Sequence, residues 1–212
     1  MKSERIFMDS IIFDVDGTLW DSTEIVADAW TDYLKNKENI NMNITSAKLK
    51  SLFGQLLPDI AAQLFPRYSK KEQLRIIDGC CEAEHQALEK AKAPIYPGLE
   101  ETLSVLSKKY PLFIVSNCQA GYIEVFLKAT GFDRYFTGHL CPGDTGMPKG
   151  DNIQKIIWDY KLSSPVYVGD TTGDFNACQQ AGIPFVFASY GFGNVENPDY
   201  TISELKDLIS LF

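Results

Sequence analysis

A chain of 212 residues with 45% apolar and 23% charged side chains has room for one large domain, or for one domain carrying a modest insert. Its net charge of −8 argues against sequence-independent nucleic-acid binding, which relies on Lys and Arg. No stretch approaches the roughly 18 apolar residues of a membrane span, and five cysteines without a C-x-x-C spacing point to free thiols in a reducing compartment.

The charged start Met1-Lys2-Ser3-Glu4-Arg5 is followed by no apolar segment of signal-peptide length, so a cytoplasmic chain is expected, as a monomer or weak dimer. The first structural signal is Ser10-Ile11-Ile12-Phe13-Asp14-Val15-Asp16-Gly17-Thr18-Leu19. Its apolar run is too short for a buried helix and ends in two acids, a glycine and a threonine. That reads as a buried strand opening into a turn. Asp14 then stands just beyond a strand end, where open α/β sheets bind ligands.

From Ser22 to about Lys92 the pattern is helical. Ile25, Val26, Ala29, Trp30, Tyr33 and Leu34 repeat at helical spacing behind the N-cap candidates of Asp21-Ser22-Thr23-Glu24. Leu49, Leu52 and Phe53 predict a short helix broken at Gly54, and Pro58 to Leu64 another with proline in its first turn. Ser69-Lys70-Lys71-Glu72 opens a longer helix with Leu74, Ile77, Cys81, His85 and Leu88 along one side. These four helices form an insert after the first strand.

After Pro94 the pattern alternates. Helices are predicted over Leu99 to Lys109, Gly121 to Thr130, Lys149 to Tyr160, from beyond Asp170 to Gly182, and over Ser203 to Leu211. Strands are predicted at Pro111 to Asn117, Tyr135 to Leu140, Val166 to Asp170 and Ile183 to Ala188. Alternation of this kind implies right-handed crossovers and a parallel sheet.

The strand ends carry the chemistry. Asp14 and Asp16 end the first, Ser116 and Asn117 the second, and Asp170 the fourth, with Asp174 one turn later in Gly169-Asp170-Thr171-Thr172-Gly173-Asp174. Lys149 opens a helix, where the macrodipole disfavours a cation, and a broken local rule marks a functional position. A calcium loop is the bland alternative for Asp14-Val15-Asp16-Gly17. However, Gly17 falls at its fourth position and Ile25 at its twelfth, where that loop needs Gly sixth and Glu twelfth. A turn-capping pair is the other alternative.

Taken in order, Asp-Val-Asp-Gly-Thr-Leu, strand-Ser116, Lys149 and Gly-Asp-x-x-x-Asp resemble all four motifs of the haloacid-dehalogenase-like superfamily of phosphohydrolases, in its helical-cap branch. The resemblance covers residues 11 to 182. It implies an α/β, Rossmann-like, doubly wound parallel-sheet core from residues 1–19 and 94–212, with a small four-helix cap over residues 20–93. The implied activity is a phosphatase acting on a small phosphorylated metabolite. Four gathered carboxylates would repel a phosphate dianion with Lys149 as their one counter-charge, so Mg²⁺ is expected. By the same resemblance Asp14 is the nucleophile and Asp16 the general acid and base. Ser116, Asn117 and Lys149 hold the phosphate. Asp14, the Asp16 carbonyl and Asp170 ligate the metal, and Asp174 supports them.

Departures and decoys narrow the reading. Asp16 argues against dehalogenation, where a bulky non-acidic residue stands. The mutase branch, resembling β-phosphoglucomutase, carries a hinge His and a cap Arg where this chain has Val26 and Leu57, so hydrolysis is preferred over transfer. A non-catalytic phosphate-binding protein on the same scaffold is the alternative of another class, and it would be marked by loss of Asp16, Lys149 or Asp170. Gln55, in Gly54-Gln55-Leu56-Leu57-Pro58, is the expected polar contact of the cap loop, and Trp20 either lines the pocket or packs at the hinge. Gly191-Phe192-Gly193 lacks the third glycine of a dinucleotide turn. His139 with Cys141 is too sparse for zinc. His85 is expected to be partly buried, and a Cys118 nucleophile has no partner His in sequence.

Overall fold

Ile11, Ile12 and Phe13 form a strand because their branched and aromatic side chains fill both faces of a sheet covered on each side. In the computed structural model, which describes residues 8–92 and 94–212, this strand is β1 (Ser10–Phe13). β2 (Leu112–Val115) and then β3 (Phe136–Leu140) flank it on one side. β4 (Pro165–Gly169), β5 (Phe185–Ala188) and β6 (Tyr200–Ile202) extend the sheet on the other. Every pairing is parallel. The strand order reverses at β1, so the crevice beyond its carboxyl end is the topological switch point.

Period-two alternation builds the two apolar layers. Ile11, Phe13, Leu112, Ile114, Val166 and Val168 face one side, and Ile12, Phe113, Val115, Tyr167, Phe185 and Phe187 the other. The registers Ile11↔Leu112 and Ile11↔Val166 place like-facing residues side by side. Slipping either by one residue would turn a whole apolar row to the wrong face.

Four helices separate β1 from the rest of the core: α1 (Thr23–Asn36), α2 (Ser46–Lys50), α3 (Leu57–Leu64) and α4 (Lys70–Leu88). Ser69 and Glu72 close a reciprocal capping box at the start of α4. The insert leaves and re-enters the core through adjacent segments. Trp20 bridges Ile95, Asp21 N donates to the Pro94 carbonyl at 2.9 Å, and Tyr96 N donates to the Leu19 carbonyl at 3.1 Å. One apolar cluster runs from the β1 face of the sheet into the insert, joining Phe13 and Trp20 to Trp30, Ile60 and Ile77.

The core continues with α5 (Leu99–Leu106), α6 (Tyr122–Thr130), α7 (Pro142–Thr145), α8 (Lys149–Tyr160), α9 (Thr172–Ala181) and α10 (Asp207–Leu211). α5, α6 and α10 cover the first face, and α8 and α9 the second. All five cysteines are free and buried. Among the described residues no helix is long and apolar enough to cross a membrane.

Several boundaries differ from the sequence reading. α2 starts at Ser46, where the Thr45 side chain accepts from Lys48 N, and Leu52 and Phe53 lie in the turn after it. α5 stops at Leu106, short of the expected Lys109. The closing helix starts at Asp207 because its carboxylate accepts from the backbone of Ser203 and Glu204, which holds them in a turn. β6 and α7 were not anticipated, being too short to carry a periodic signal. The charged start Met1–Arg5 and Ala93, at the expected end of the insert, lie outside the described residues.

Candidate active site

The site begins where β1 runs out. Asp14 N donates to the Val168 carbonyl of β4, holding the chain against the sheet for one more residue. The backbone then curls so that Thr18, Leu19 and Trp20 N–H groups converge on the Val15 carbonyl. Gly17 makes this turn with φ of 79°, and a Cβ there would stand 2.1 Å from Asp170 Oδ2. Only glycine meets both demands. Asp170, just past β4, is thereby packed against the first turn.

Asp14, Asp170 and Asp174 are buried, with carboxylate oxygens within 4.8 Å of one another. Lys149, at the first position of α8, places Nζ 2.9 Å from Asp14 Oδ1 and 2.5 Å from Asp174 Oδ1. Burial works against the Lys149 charge, but the two carboxylates outweigh it and hold its pKa above the ordinary lysine range. Burial raises Asp14 against the pull of Lys149 and a hydrogen bond from Ser116, and Asp174 adds to the rise. Asp170 is pushed well up, first by burial and then by its two acidic neighbours. Three desolvated carboxyls around a single ammonium suit a hard divalent cation with oxygen ligands. The Asp16 carboxylate is not part of this cluster.

Asp174 is already engaged on both oxygens. Oδ2 accepts from Thr171 Oγ1 at 2.8 Å, Thr171 N at 2.9 Å and Asp170 N at 3.2 Å, in the capping box that opens α9. Oδ1 accepts from Lys149. These bonds suit a supporting position better than a direct ligand. Asp170 is fixed by Phe192 N, which donates to Oδ2 at 2.7 Å, and a Cβ on Gly191 would lie 2.3 Å from the Asp170 Cβ. The glycine pair set aside as an incomplete dinucleotide turn is a clamp on this carboxylate.

Asp16 lies in a different environment. Its Oδ1 accepts from Ser22 Oγ at 2.7 Å, Tyr122 OH at 2.7 Å and Trp20 Nε1 at 3.0 Å. Among the described residues none donates to Oδ2, and Asp16 lines the cavity. Burial overrides the three hydrogen bonds, with help from the Asp14 charge, and pushes the Asp16 pKa up to about 7. Two carboxyls on one turn are thus set apart, Asp14 against an ammonium and Asp16 near neutrality, a separation that suits distinct roles.

The insert closes over this floor. The cavity between them holds only ≈ 30 Å³, about the volume of one water molecule. Asn117 Nδ2 donates to the Gly54 carbonyl of the cap loop at 2.9 Å, and its Oδ1 is buried with no partner among the described residues. Its Nδ2 thus ties the core to the insert, while the residue itself lines the cavity beside Ser116. Of the two alternatives for Trp20, the structure shows packing. The side chain is fully buried behind Asp16, edge-on to Tyr122 and Phe126, and does not line the cavity. Gln55 does line it, with its amide tied to Gln63 and the Ser51 carbonyl. Cys118 lines it too, but burial pushes its thiol well above the ordinary cysteine range, which makes it a poor nucleophile. His85 is half-buried against Gln119 and the Tyr122 ring. His139 comes near Glu124 and Asp144, not into a pair with Cys141.

A family model described as haloacid dehalogenase-like hydrolase matches residues 11–188. The chain belongs to this family. Among haloacid dehalogenase-like relatives, it is 24% identical to the phosphoglycolate phosphatase of Vibrio parahaemolyticus, over 95% of this chain and 94% of that one. It is 27% identical to the phosphoglycolate phosphatase of Aquifex aeolicus, over 95% of each chain. The fold matches a haloacid dehalogenase-like family hydrolase of Streptococcus pneumoniae with a TM-score of 0.83 at 21% identity, covering 96% of this chain and 97% of the other. It also matches CbbY of Rhodobacter sphaeroides, solved in complex with phosphate, with a TM-score of 0.81 at 17% identity, covering 95% and 96%. The Rossmann-like parallel core and the reading of the chain as a hydrolase are borne out.

Within this haloacid dehalogenase-like site, sequence reasoning missed Ser22, Tyr122, Glu84, Thr171 and Phe192. Ser22 stands where a helix cap is expected, but its side chain makes no cap bond because it serves Asp16. Tyr122 is hidden among the apolar residues of α6, and nothing local distinguishes it. Glu84 had a readable signal: an acid three residues after Cys81 and four before Leu88, inside the apolar stripe of α4. It is Glu84, not His85, that α4 buries.

Proposed function

We propose that this chain is a Mg²⁺-dependent phosphatase that hydrolyses a small phosphomonoester through an aspartyl-phosphate on Asp14. The observation that carries the reading is the pair Asp14 and Asp16 in one cavity, the first held against Lys149 and the second raised to about 7. The names of the relatives and the phosphate in the Rhodobacter structure support a phosphomonoester substrate.

Asp14 attacks phosphorus, and the bond from phosphorus to the leaving oxygen breaks. Asp16 gives its proton to that oxygen, from the Oδ2 to which none of the described residues donates. In the second step water attacks phosphorus, Asp16 takes the water proton, and the bond to Asp14 breaks to release phosphate. Ser116 and Lys149 hold the phosphoryl oxygens and offset their charge. Asp14, Asp170 and the Asp16 carbonyl would hold Mg²⁺, with Asp174 fixing Lys149 behind them. Bound there, the ion would neutralise charge on the phosphoryl group. Residues 20–93 act as a cap, and a cavity of ≈ 30 Å³ requires that the cap open to admit substrate. Val26 is buried and Leu57 is apolar, so the cap has no group at either position to retain a second phosphate. Hydrolysis is accordingly favoured over mutase chemistry.

The test is Asp14→Asn with p-nitrophenyl phosphate and Mg²⁺. Phosphate release should vanish while circular dichroism stays unchanged, because an amide cannot form the acyl-phosphate. Activity within tenfold of wild type removes Asp14 from the nucleophile role.

A further inference from the structure

Asp14, Asp16 and Ser116 form the floor of the cavity, where the phosphoryl group belongs. Trp30 and Glu84, from the insert, and Gln119, from the loop after β2, also line it and are the side chains left to face a leaving group. None of the residues lining the cavity is Lys or Arg. Lys149 pairs with Asp14 and Asp174 at the floor, where it serves the phosphoryl group and not the leaving group, and Lys50 pairs with Asp21 at 2.6 Å. A leaving group ending in a carboxylate or a second phosphate would thus meet Glu84 and no lining cation.

Glu84 is held in place from three elements. α4 carries it, Trp30 Nε1 of α1 donates to its Oε2 at 2.6 Å, and Gln119 Nε2, between β2 and α6, donates to its Oε1. In its ionised form each Glu84 oxygen has two acceptor positions, so one on each is left for a ligand. Burying a carboxyl without a cation is costly, and an apolar residue in the α4 stripe would pack at no such cost. Glu84 and Trp30 ride on the insert, whereas Asp14 and Ser116 belong to the core. Glu84 therefore meets the leaving group only as the two parts come together.

We propose that Glu84 reads the leaving group, and that the substrate is a phosphomonoester whose alcohol presents a hydrogen-bond donor, hydroxyl or ammonium, where phosphoglycolate presents a carboxylate. The proposal rests on the phosphatase reading above and narrows it to a substrate class. It separates this chain from what the names of its relatives describe.

The test is a matched two-carbon series: 2-hydroxyethyl phosphate, 2-aminoethyl phosphate, ethyl phosphate and 2-phosphoglycolate, with p-nitrophenyl phosphate as the general phosphatase substrate. For wild type, kcat/KM with the hydroxyethyl or aminoethyl ester should exceed that with phosphoglycolate by at least about tenfold, and should also exceed that with ethyl phosphate. Whichever of the two leads identifies the donor. These rates are read at pH 9, above the pH of about 8 at which Glu84 loses its proton, and in Glu84→Gln the preference over phosphoglycolate there should fall by about tenfold, since an amide neither pairs with a cation nor repels an anion. Hydrolysis of p-nitrophenyl phosphate together with a preference for phosphoglycolate, or an unchanged ratio in the variant, overturns the proposal and leaves the phosphatase reading standing. No hydrolysis of any ester overturns both. Should the variant fail to fold, the wild-type series decides alone.

Discussion

Tyr122→Phe removes one hydroxyl from Asp16 and little else, since the ring stays packed against Trp20. A hydrogen bond to a charged group contributes about 1.5–3 kcal/mol, and one pKa unit corresponds to about 1.4 kcal/mol. Loss of the bond alone would shift Asp16 by about one to two units. Ser22 Oγ, 3.0 Å from the Tyr122 hydroxyl and 2.7 Å from Asp16, remains and strengthens its own bond, so about one unit is expected. The direction is upward, because the hydroxyl favours the ionised carboxylate. The acid form then persists to higher pH. With an alkyl phosphomonoester, whose leaving oxygen needs a proton, the descending limb of kcat/KM against pH should move up by about one unit. With p-nitrophenyl phosphate, whose phenolate leaves without help, it should not move. A descending limb at the wild-type position, or below it, would refute Asp16 as the proton donor.

The other predictions concern the charges around Asp16 and the metal. Excess chelator should abolish phosphate release and Mg²⁺ restore it, with Ca²⁺ substituting poorly because its larger, looser shell misplaces the nucleophile; full activity in chelator would count against the carboxylate cluster as a cation site. Lys149→Met leaves Asp14 and Asp174 buried without their counter-ion, a loss of about 3–5 kcal/mol. At roughly 2–4 °C per kcal/mol for a chain of this size, Tm should fall by about 6–20 °C, and a fall of under about 2 °C would contradict the ion pair. Burial raises the Glu84 pKa from 4.5 to about 8, so the native state binds the extra proton and stability drops as pH climbs through that window. In Glu84→Gln this slope is absent, so wild-type Tm should fall relative to the variant between about pH 4.5 and 8; parallel curves would mean Glu84 is not protonated in the folded chain.

The residues that could be read in advance are those placed by strand ends. Asp14, Ser116 and Asp170 each follow an apolar run, and Lys149 breaks the rule for a helix start, so local pattern alone points at them. Tyr122 reaches Asp16 from 106 residues away, and no local pattern encodes that contact. The hydrogen-bond partners of Trp20 and Asn117 are likewise not legible in the sequence. The fold uses the first as a donor behind Asp16 and the second as a tie to the cap loop. Gly191 and Phe192 could not be placed because their partner, Asp170, lies across a strand and a helix. The short β6 and α7 were missed because three or four residues hold too little periodicity.

The central place of β1 also sets the order in which the chain can assemble. Its neighbours in the sheet, Leu112 beside Ile11 on one side and Val166 on the other, are about 100 and about 155 residues downstream. At about 5–20 residues per second of synthesis, the strand waits roughly 5–20 s for its first partner. Non-local pairing of this kind is slow, and an apolar strand left open invites other chains. Asp9 and Asp14 bracket Ser10-Ile11-Ile12-Phe13 with negative charge, in the manner of gatekeepers beside an unavoidable apolar segment. The carboxylate proposed to take up phosphate in the folded enzyme is thus also a charge at the end of the strand while it waits for its partners.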